Sequence, residues 1–259
     1  MHSNTPKNHI WVETGDGTKT LFSERFQEAC HSTTGAKEET LLHYLKGCQV
    51  EQKISLENVT ILEVGFGLGL GFTTTLETLK NAQHEFHFIS LEIDHELVDW
   101  VFDDLARRNI LSSIKKNPGL YEATHARGKL TVILGDARTS LPEFLKHNPQ
   151  TFDVIYQDAF SPKKNPTLWT TQWFELLKKY SSDDVVLSTY SASSSIRKSM
   201  ITSGWKIHKG EKFGPKRTST RATLSGETDP EISLHLERSP TPALTDENVT
   251  EYANEKQTL

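Results

Sequence analysis

Cysteine is scarce in these 259 residues: Cys30 and Cys48 are the only two, and no C-x-x-C pair occurs. A disulfide framework is therefore excluded. Long apolar runs are missing as well, and none approaches the roughly 20 residues that a membrane span needs. Met1 to His9 is polar and has no h-region, so no secretory signal is expected. His84 and His87 form the one close histidine pair, with no third ligand in view, so no metal is expected. Internal repeats are absent. These absences point to a cytoplasmic protein of one domain, or one domain with appendages, and no membrane partner.

A basic excess is lacking too, for the net charge is −5, but its distribution is uneven. From Gly226 to Leu259 eight acidic residues face only Arg238 and Lys256, which gives this stretch −6 and leaves the rest at +1. Within the body, Lys206, Lys209, Lys212, Lys216, Arg217 and Arg221 fall within sixteen residues. Such a cluster fits a phosphate-facing patch or a solvated loop, and charge alone favours the loop.

What the chain does have is Val59-Thr60-Ile61-Leu62-Glu63-Val64 running straight into Gly65, Gly67, Gly69 and Gly71. A β-branched apolar run, a glycine turn and a helix-compatible stretch from Phe72 to Ala82 predict a buried parallel strand, a tight turn and a helix N-terminus. Glycine lets backbone approach a ligand closely. A dinucleotide turn would read G-x-G-x-x-G. Leu70 and Phe72 occupy the two positions where the third glycine would fall, so neither frame fits and no FAD-type turn is present. The pattern E-x-G-x-G-x-G, with Glu63 ahead of Gly65, Gly67 and Gly69, is instead that of S-adenosylmethionine methyltransferases. That cofactor has no phosphate and presents an amino-acid end, a sulfonium and an adenosine. A purely structural glycine turn is the bland alternative.

Around this turn, strands alternate with helical stretches. Strands are predicted over 86–92, 130–134, 152–156 and 185–190, with a terminal pair at 205–207 and 221–224. Helices are predicted near 95–108, 142–147, 168–179 and 196–202. Residues 112–129 read as an irregular loop with a short helix. The alternation implies an α/β fold with a doubly wound, mostly parallel sheet. Asp16-Gly17 between extended runs predicts a small N-terminal β-hairpin, followed by a helix over 37–46. The expected organisation is an N-terminal extension over 1–50, a main domain over 51–225, and an acidic, largely disordered tail over 226–259.

Open α/β sheets bind ligands outside the carboxyl ends of their strands, and three such ends carry an acid. Glu92 lies about 20 residues past the glycine turn, where a carboxylate accepts both ribose hydroxyls. Asp136 is placed to hold an adenine amino group beside Ala137. Asp158 falls where a methyl acceptor would lie. Each alone fits an N-cap or a solvated surface residue; all three in register with the turn argue for a site.

The stretch Gln157-Asp158-Ala159-Phe160-Ser161-Pro162-Lys163-Lys164-Asn165-Pro166-Thr167-Leu168-Trp169 resembles the D-G/A-F-A/S-P-x-K-N-P-x-x-W signature of the MnmC methyltransferase domain. Further segments resemble that family in order: His31-Ser32 with Gly35-Ala36 and Glu39, then Thr189-Tyr190-Ser191-Ala192 with Ile196-Arg197-Lys198. Last come Gly204-Trp205 and Gly210 with Lys212, Phe213, Gly214, Lys216 and Arg217. The resemblance covers roughly residues 20 to 224. Gln157, where Leu is common, and Ser194, where Gly is usual, depart from it near the acceptor side.

The resemblance implies a Rossmann-like class I S-adenosylmethionine methyltransferase acting on the aminomethyl group of wobble 5-aminomethyl-(2-thio)uridine in tRNA. It implies Asp158 as the catalytic residue facing the amine, with Lys164, Lys212, Lys216 and Arg217 meeting tRNA phosphates. The fused family form adds an FAD-dependent oxidase domain; this chain is expected to be a stand-alone methyltransferase half without FAD, its substrate supplied by upstream enzymes. Three alternatives stand beside this reading. One is a methyltransferase with another acceptor. Another is a non-catalytic RNA-binding module of the same fold. The third is an aminopropyltransferase, whose usual G-G-G-D-G and D-S-x-D segments are absent.

Overall fold

Short runs of β-branched and aromatic residues, buried on both faces, form the centre of the molecule, as parallel strands covered by helices require. The structure, a computed structural model, describes residues 5–15, 17, 19–31, 35–213 and 217–252, with 212, 213 and 217 described by their backbone alone. In chain order, β1 (His9–Glu13), β2 (Lys19–Ser23) and β3 (Glu28–Ala29) make a small antiparallel sheet. Then α1 (Ala36–Glu39) passes into a π-helical turn (Thr40–Lys46), followed by α2 (Val50–Ile54).

The main sheet opens with β4 (Val59–Val64), α3 (Leu70–Thr78), β5 (Phe86–Glu92) and α4 (His95–Arg107). It continues through β6 (Ser112–Asn117), β7 (Leu120–His125), β8 (Gly128–Leu134), α5 (Ala137–His147) and β9 (Phe152–Gln157). A 3-10 turn (Pro166–Trp169), α6 (Thr171–Lys179), β10 (Ser181–Thr189) and α7 (Ser194–Thr202) follow. Finally come β11 (Lys206–Phe213), β12 (Arg217–Thr223) and α8 (Pro230–Arg238).

The nine strands lie in the order β11-β12-β10-β9-β4-β5-β8-β7-β6. The five from β10 to β8 are parallel, and the outer pairs are antiparallel. After β4 the chain moves outward through β5 to β8, then returns to place β9 on the other side of β4. That reversal opens a crevice at the carboxyl ends of β4 and β9, where open sheets take their ligands. One apolar layer holds Phe72, Phe88 and Phe102, and the other Trp169, Trp173, Phe174 and Trp205.

Two expectations are corrected. Residues 112–125 are not a loop with a short helix but the hairpin β6–β7, which extends the sheet beyond β8. Only alternate side chains of β7, Tyr121 and Ala123 among them, reach the core, and β6 is almost wholly exposed. Lys115 and Lys116 on that outer strand give the charged edge that discourages further pairing, and it is this charge that reads as a loop.

The stretch after 225 is not a loose tail over its described residues. Asp229 caps α8 by accepting from the Glu231 N–H at 2.9 Å. Ile232, Leu236 and Leu244 are buried against α6 and α7. The Leu244 N–H donates to Ser199 Oγ at 2.8 Å, and its carbonyl accepts from the Thr171 N–H at 2.8 Å. The acids here find cations: Glu231 pairs with Lys209, and Asp246 takes both guanidinium nitrogens of Arg138.

Candidate active site

Gly65 leaves β4 with φ +100°, in the region that favours glycine, and a Cβ there would stand 2.8 Å from the Asp158 carbonyl oxygen. The turn is tied to both neighbouring strand ends. The N–H groups of Gly65 and Phe66 donate to the Leu91 carbonyl at 3.0 and 3.2 Å, and the Asp158 N–H donates to the Val64 carbonyl at 3.1 Å. These bonds fix the ends of β4, β5 and β9 around one cavity of about 540 Å³.

On the β5 side, Glu92 lines the cavity with its carboxylate already oriented. Oε2 accepts from the Gly67 N–H at 3.1 Å, and Oε1 accepts from Ile93 and Asp94 at 2.8 and 3.1 Å. Burial raises its pKa against those three bonds. Each oxygen has two lone pairs, so a ribose diol can be received as well. Asp136 caps α5 through the Arg138 N–H at 2.9 Å and stands exposed on the rim, with Ala137 beside it in the wall. Asp136 is thus an N-cap that also lines the cavity.

Glu63 does not reach the cavity. It is 2% exposed beneath the turn, where Ser90 Oγ donates to its Oε2 at 2.7 Å and burial drives its pKa well up. Gly71 explains the spacing, because a Cβ there would stand 1.8 Å from Glu63 Oε1. Glu63 supports the turn from below, and Gly69 starts α3 behind it with φ +67°.

The opposite end is built from distant segments. Tyr44, on the π-helical turn, donates its hydroxyl proton to Asp158 Oδ1 at 2.5 Å across 114 positions of sequence. Burial pushes the Asp158 carboxyl well above the ordinary carboxylate range; the Tyr44 bond pulls it back, and Glu39 pushes it up again. Tyr190, directly after β10, donates to the Ala159 carbonyl at 2.9 Å. Phe26 of the N-terminal sheet stacks on Phe160 with centroids 4.5 Å apart, and the Ser161 N–H donates to Glu28 at 2.8 Å. Described residues of the N-terminal segment between His9 and Tyr44 therefore make one wall of the cavity. Tyr44, Phe26 and Glu28 escaped sequence reasoning, while His31, Glu39 and Tyr190 fell within quoted segments without a role. His31 packs beside Gly67, and burial lowers its pKa to about 4, so it is neutral at pH 7.

Gln157 and Ser194 do not touch the acceptor end. Gln157 is fully buried behind it, bonding the Leu168 carbonyl at 2.8 Å and the Trp173 indole at 3.0 Å. Ser194 meets His235 at 3.3 Å on the outside of α7. Lys164 is exposed on the loop one residue before Asn165, which lines the cavity. Lys216 and the side chains of Lys212 and Arg217 lie outside the described residues. Among the described residues, no three His, Cys, Asp or Glu side chains are grouped to hold a metal. No described helix is long and apolar enough to cross a membrane.

Strand order, glycine turn and the acid closing β5 together define a Rossmann-like class I methyltransferase. The family model for S-adenosyl-L-methionine-dependent methyltransferases matches residues 102–225 of the chain. Its relatives include the tRNA 5-methylaminomethyl-2-thiouridine biosynthesis bifunctional protein MnmC of Leptospira interrogans, 32% identical over 215 residues. That match covers 76% of this chain and 33% of the relative. An uncharacterized protein of Methanocaldococcus jannaschii is 30% identical over 228 residues, covering 83% of this chain and 60% of that one. The crystal structure of MNMC2 from Aquifex aeolicus superposes with a TM-score of 0.73 at 28% identity, over 97% of this chain and 86% of that chain. The chain thus spans about a third of the Leptospira relative and 60% of the Methanocaldococcus one.

S-adenosylmethionine fits the residues present. The glycine turn leaves open backbone, Glu92 has free lone pairs that a ribose diol could use, and one cavity reaches from the turn to Asp158.

Proposed function

We propose that this protein methylates the primary amine of 5-aminomethyl-(2-thio)uridine at the wobble position of tRNA, using S-adenosylmethionine. The observation that carries the reading is Asp158, a carboxyl at the end of β9 aimed by the Tyr44 hydroxyl into the cavity that the glycine turn and Glu92 open. The likeness to MnmC proteins of tRNA 5-methylaminomethyl-2-thiouridine biosynthesis supports it. Gly65, Gly67, Glu92, Asp136 and Ala137 would hold the cofactor, which supplies an electrophilic sulfonium methyl group when bound. Glu63 and Gly69 act by shaping the turn. FAD and metal have no part in this scheme, and upstream enzymes would supply the amine.

An alkyl amine is mostly protonated near pH 7 and must lose a proton before its nitrogen has a lone pair to give. Asp158 takes that proton onto a carboxylate oxygen, or aims the N–H so that the lone pair faces the turn. Its raised pKa moves its proton affinity toward that of an amine, which favours the transfer. Tyr44 is buried beside this carboxyl, and the remaining demand is in-line positioning.

Lys164, Lys212, Lys216 and Arg217 would meet phosphates. Thr189 pairs with Thr220, and β11 and β12 continue to the pair Phe213 and Arg217, so this hairpin extends past the carboxyl end of β10, on the site's edge of the sheet. Lys209, paired with Glu231, is left out of that patch.

The test is methyl incorporation from labelled S-adenosylmethionine into tRNA lacking the final wobble methyl, followed by nucleoside analysis. Label on 5-methylaminomethyl-(2-thio)uridine is the expected result. Label on another nucleoside, or none with cofactor binding intact, would overturn the acceptor.

A further inference from the structure

The cavity has to receive one anion, the carboxylate of S-adenosylmethionine, although its lining suits the cofactor's ammonium and sulfonium better. Six carboxyl groups line it, and Arg25 is the one Lys or Arg among its described lining residues. Arg25 stands exposed at the acceptor end, with its guanidinium 5.3 Å from the Phe26 ring centroid. The glycine turn offers little in its place. The N–H groups of Gly65 and Phe66 are given to the Leu91 carbonyl, that of Gly67 to Glu92, and that of Gly69 to the Phe66 carbonyl. A turn whose N–H groups are committed inside the protein is not the open anion cradle that holds phosphates. The donor has to come from another segment.

His31 supplies one. It follows β3, lines the cavity and packs on the turn, with Cε1 and Nε2 3.6 and 3.7 Å from the place a Gly67 Cβ would take. Its Nδ1 lies 3.2 Å from the Thr20 hydroxyl on β2. Thr20 is fully buried, and this ring nitrogen is the one partner of its hydroxyl among the described residues. A buried hydroxyl gives its proton to an acceptor within reach, so Thr20 donates and Nδ1 accepts. Burial lowers the ring's pKa to about 4, so at pH 7 it carries a single N–H, which is then at Nε2. Nε2 has no hydrogen-bond partner among the described residues.

We propose that His31, oriented by Thr20, receives the cofactor's carboxylate on its Nε2–H and so fixes the amino-acid end beside Gly67. This rests on the methyltransferase reading above and deepens it. Glu92 and His31 meet the turn at the same glycine, one accepting from the ribose and the other donating to the carboxylate. A neutral donor holds the carboxylate without adding a positive charge near the sulfonium, whose own charge drives methyl transfer. The same contact separates the full cofactor from its decarboxylated relative, the aminopropyl donor, which would leave the Nε2–H unpaired.

The experiment measures calorimetric affinity for S-adenosylhomocysteine, for its decarboxylated analogue, and for 5′-methylthioadenosine, which lacks the whole amino-acid end. Wild type is expected to prefer S-adenosylhomocysteine over the decarboxylated analogue by about ten- to a hundredfold. His31→Leu should lose most of that preference, with 5′-methylthioadenosine affinity within about twofold of wild type. His31→Gln, which keeps an N–H donor on a side chain of similar reach, should retain part of it. Thr20→Val should reduce it less than His31→Leu, because the ring keeps its N–H and loses only its orientation. Equal affinities in wild type, or an unchanged preference in His31→Leu, would overturn the assignment. Equal weakening of S-adenosylhomocysteine and the decarboxylated analogue in His31→Leu would overturn it too, by placing the ring on the ammonium. Loss of 5′-methylthioadenosine binding in that variant would do the same, by assigning the ring to the fold. Binding of none of the three by wild type would overturn the methyltransferase reading along with the assignment. Tight S-adenosylhomocysteine binding with equal analogue affinities counts against His31 alone.

Discussion

The two ends of the cavity are made in different ways. The proposed cofactor end is mostly local: β4, its turn and the close of β5 lie within residues 59–94. Asp136 and Ala137 at the start of α5 join it, and the turn is held by backbone bonds to the neighbouring strand ends. The acceptor end is assembled across the chain, with Tyr44 bonded to Asp158 and Glu28 to Ser161 over 114 and 133 positions. The first end is a property of a sheet edge, so it recurs wherever the strands recur. The second is a property of this chain, because segments outside the sheet decide what can lie beside Asp158. A variant at one end should therefore change one parameter and spare the other.

The largest separation is expected from Asp158→Asn, which keeps shape and removes the proton acceptor. Turnover should fall by roughly 10²- to 10⁴-fold, while S-adenosylhomocysteine affinity measured by calorimetry stays at the wild-type value. If both fall together, the two ends are one unit and the comparison breaks.

Gly65→Val is expected to do the reverse first. Its φ of +100° strains any branched side chain, and the new Cβ would press on the Asp158 carbonyl 2.8 Å away. Strain of about 1–3 kcal/mol should weaken S-adenosylhomocysteine binding by roughly ten- to a hundredfold. Turnover at saturating cofactor should fall less than in Asp158→Asn. Gly65 is the joint between the ends, and the ratio of the two losses measures how rigid that joint is.

Tyr44→Phe sharpens the comparison through pH. The Tyr44 hydroxyl stabilises ionised Asp158, so removing it raises the Asp158 pKa beyond the rise that burial already causes. If the working form is the carboxylate, activity is lost as pH falls through that pKa. The acid limb of the turnover profile should therefore move to higher pH, with about a tenfold loss at pH 7. An acid limb at the wild-type position would mean that Tyr44 packs but does not tune the carboxyl.

The division also decides what was legible in the sequence. Glycine spacing encodes a turn, and the strand lengths on either side encode where Glu92 emerges, so that end follows from periodicity. Glu63 was misplaced because a motif records adjacency in sequence; it cannot say that Gly71 leaves room for the carboxyl to turn inward. Tyr44 was invisible for the opposite reason. Its neighbours Leu41, Leu42 and Leu45 read as an ordinary apolar helix face, and nothing nearby announces a carboxylate from β9. The stretch after 225 misled through averaging. Ile232 and Leu236 are one helical turn apart and both buried, but eight acids around them dominate the composition. Resemblance to a family recovered His31, Glu39 and Tyr190 as residues; their place on one cavity wall needed the fold.

The smallest expected effect concerns the seam that joins the N-terminal sheet to the loop after Asp158. Phe26 on Phe160 is a stacked pair with rings inclined by 22°, and such pairs contribute about 0.5–1.5 kcal/mol beyond their buried area. The bond from the Ser161 N–H to Glu28 crosses the same seam and remains when the ring is removed. Phe26→Ala should therefore loosen the acceptor wall without releasing it. The KM for tRNA should rise by roughly two- to tenfold, with cofactor affinity and melting temperature near wild type. Phe160→Ala should cost a similar amount. The double variant should be little worse than either single one, because both remove the same contact. Additive losses would mean that each ring meets the substrate separately, which would move Phe26 from the seam into the acceptor site itself.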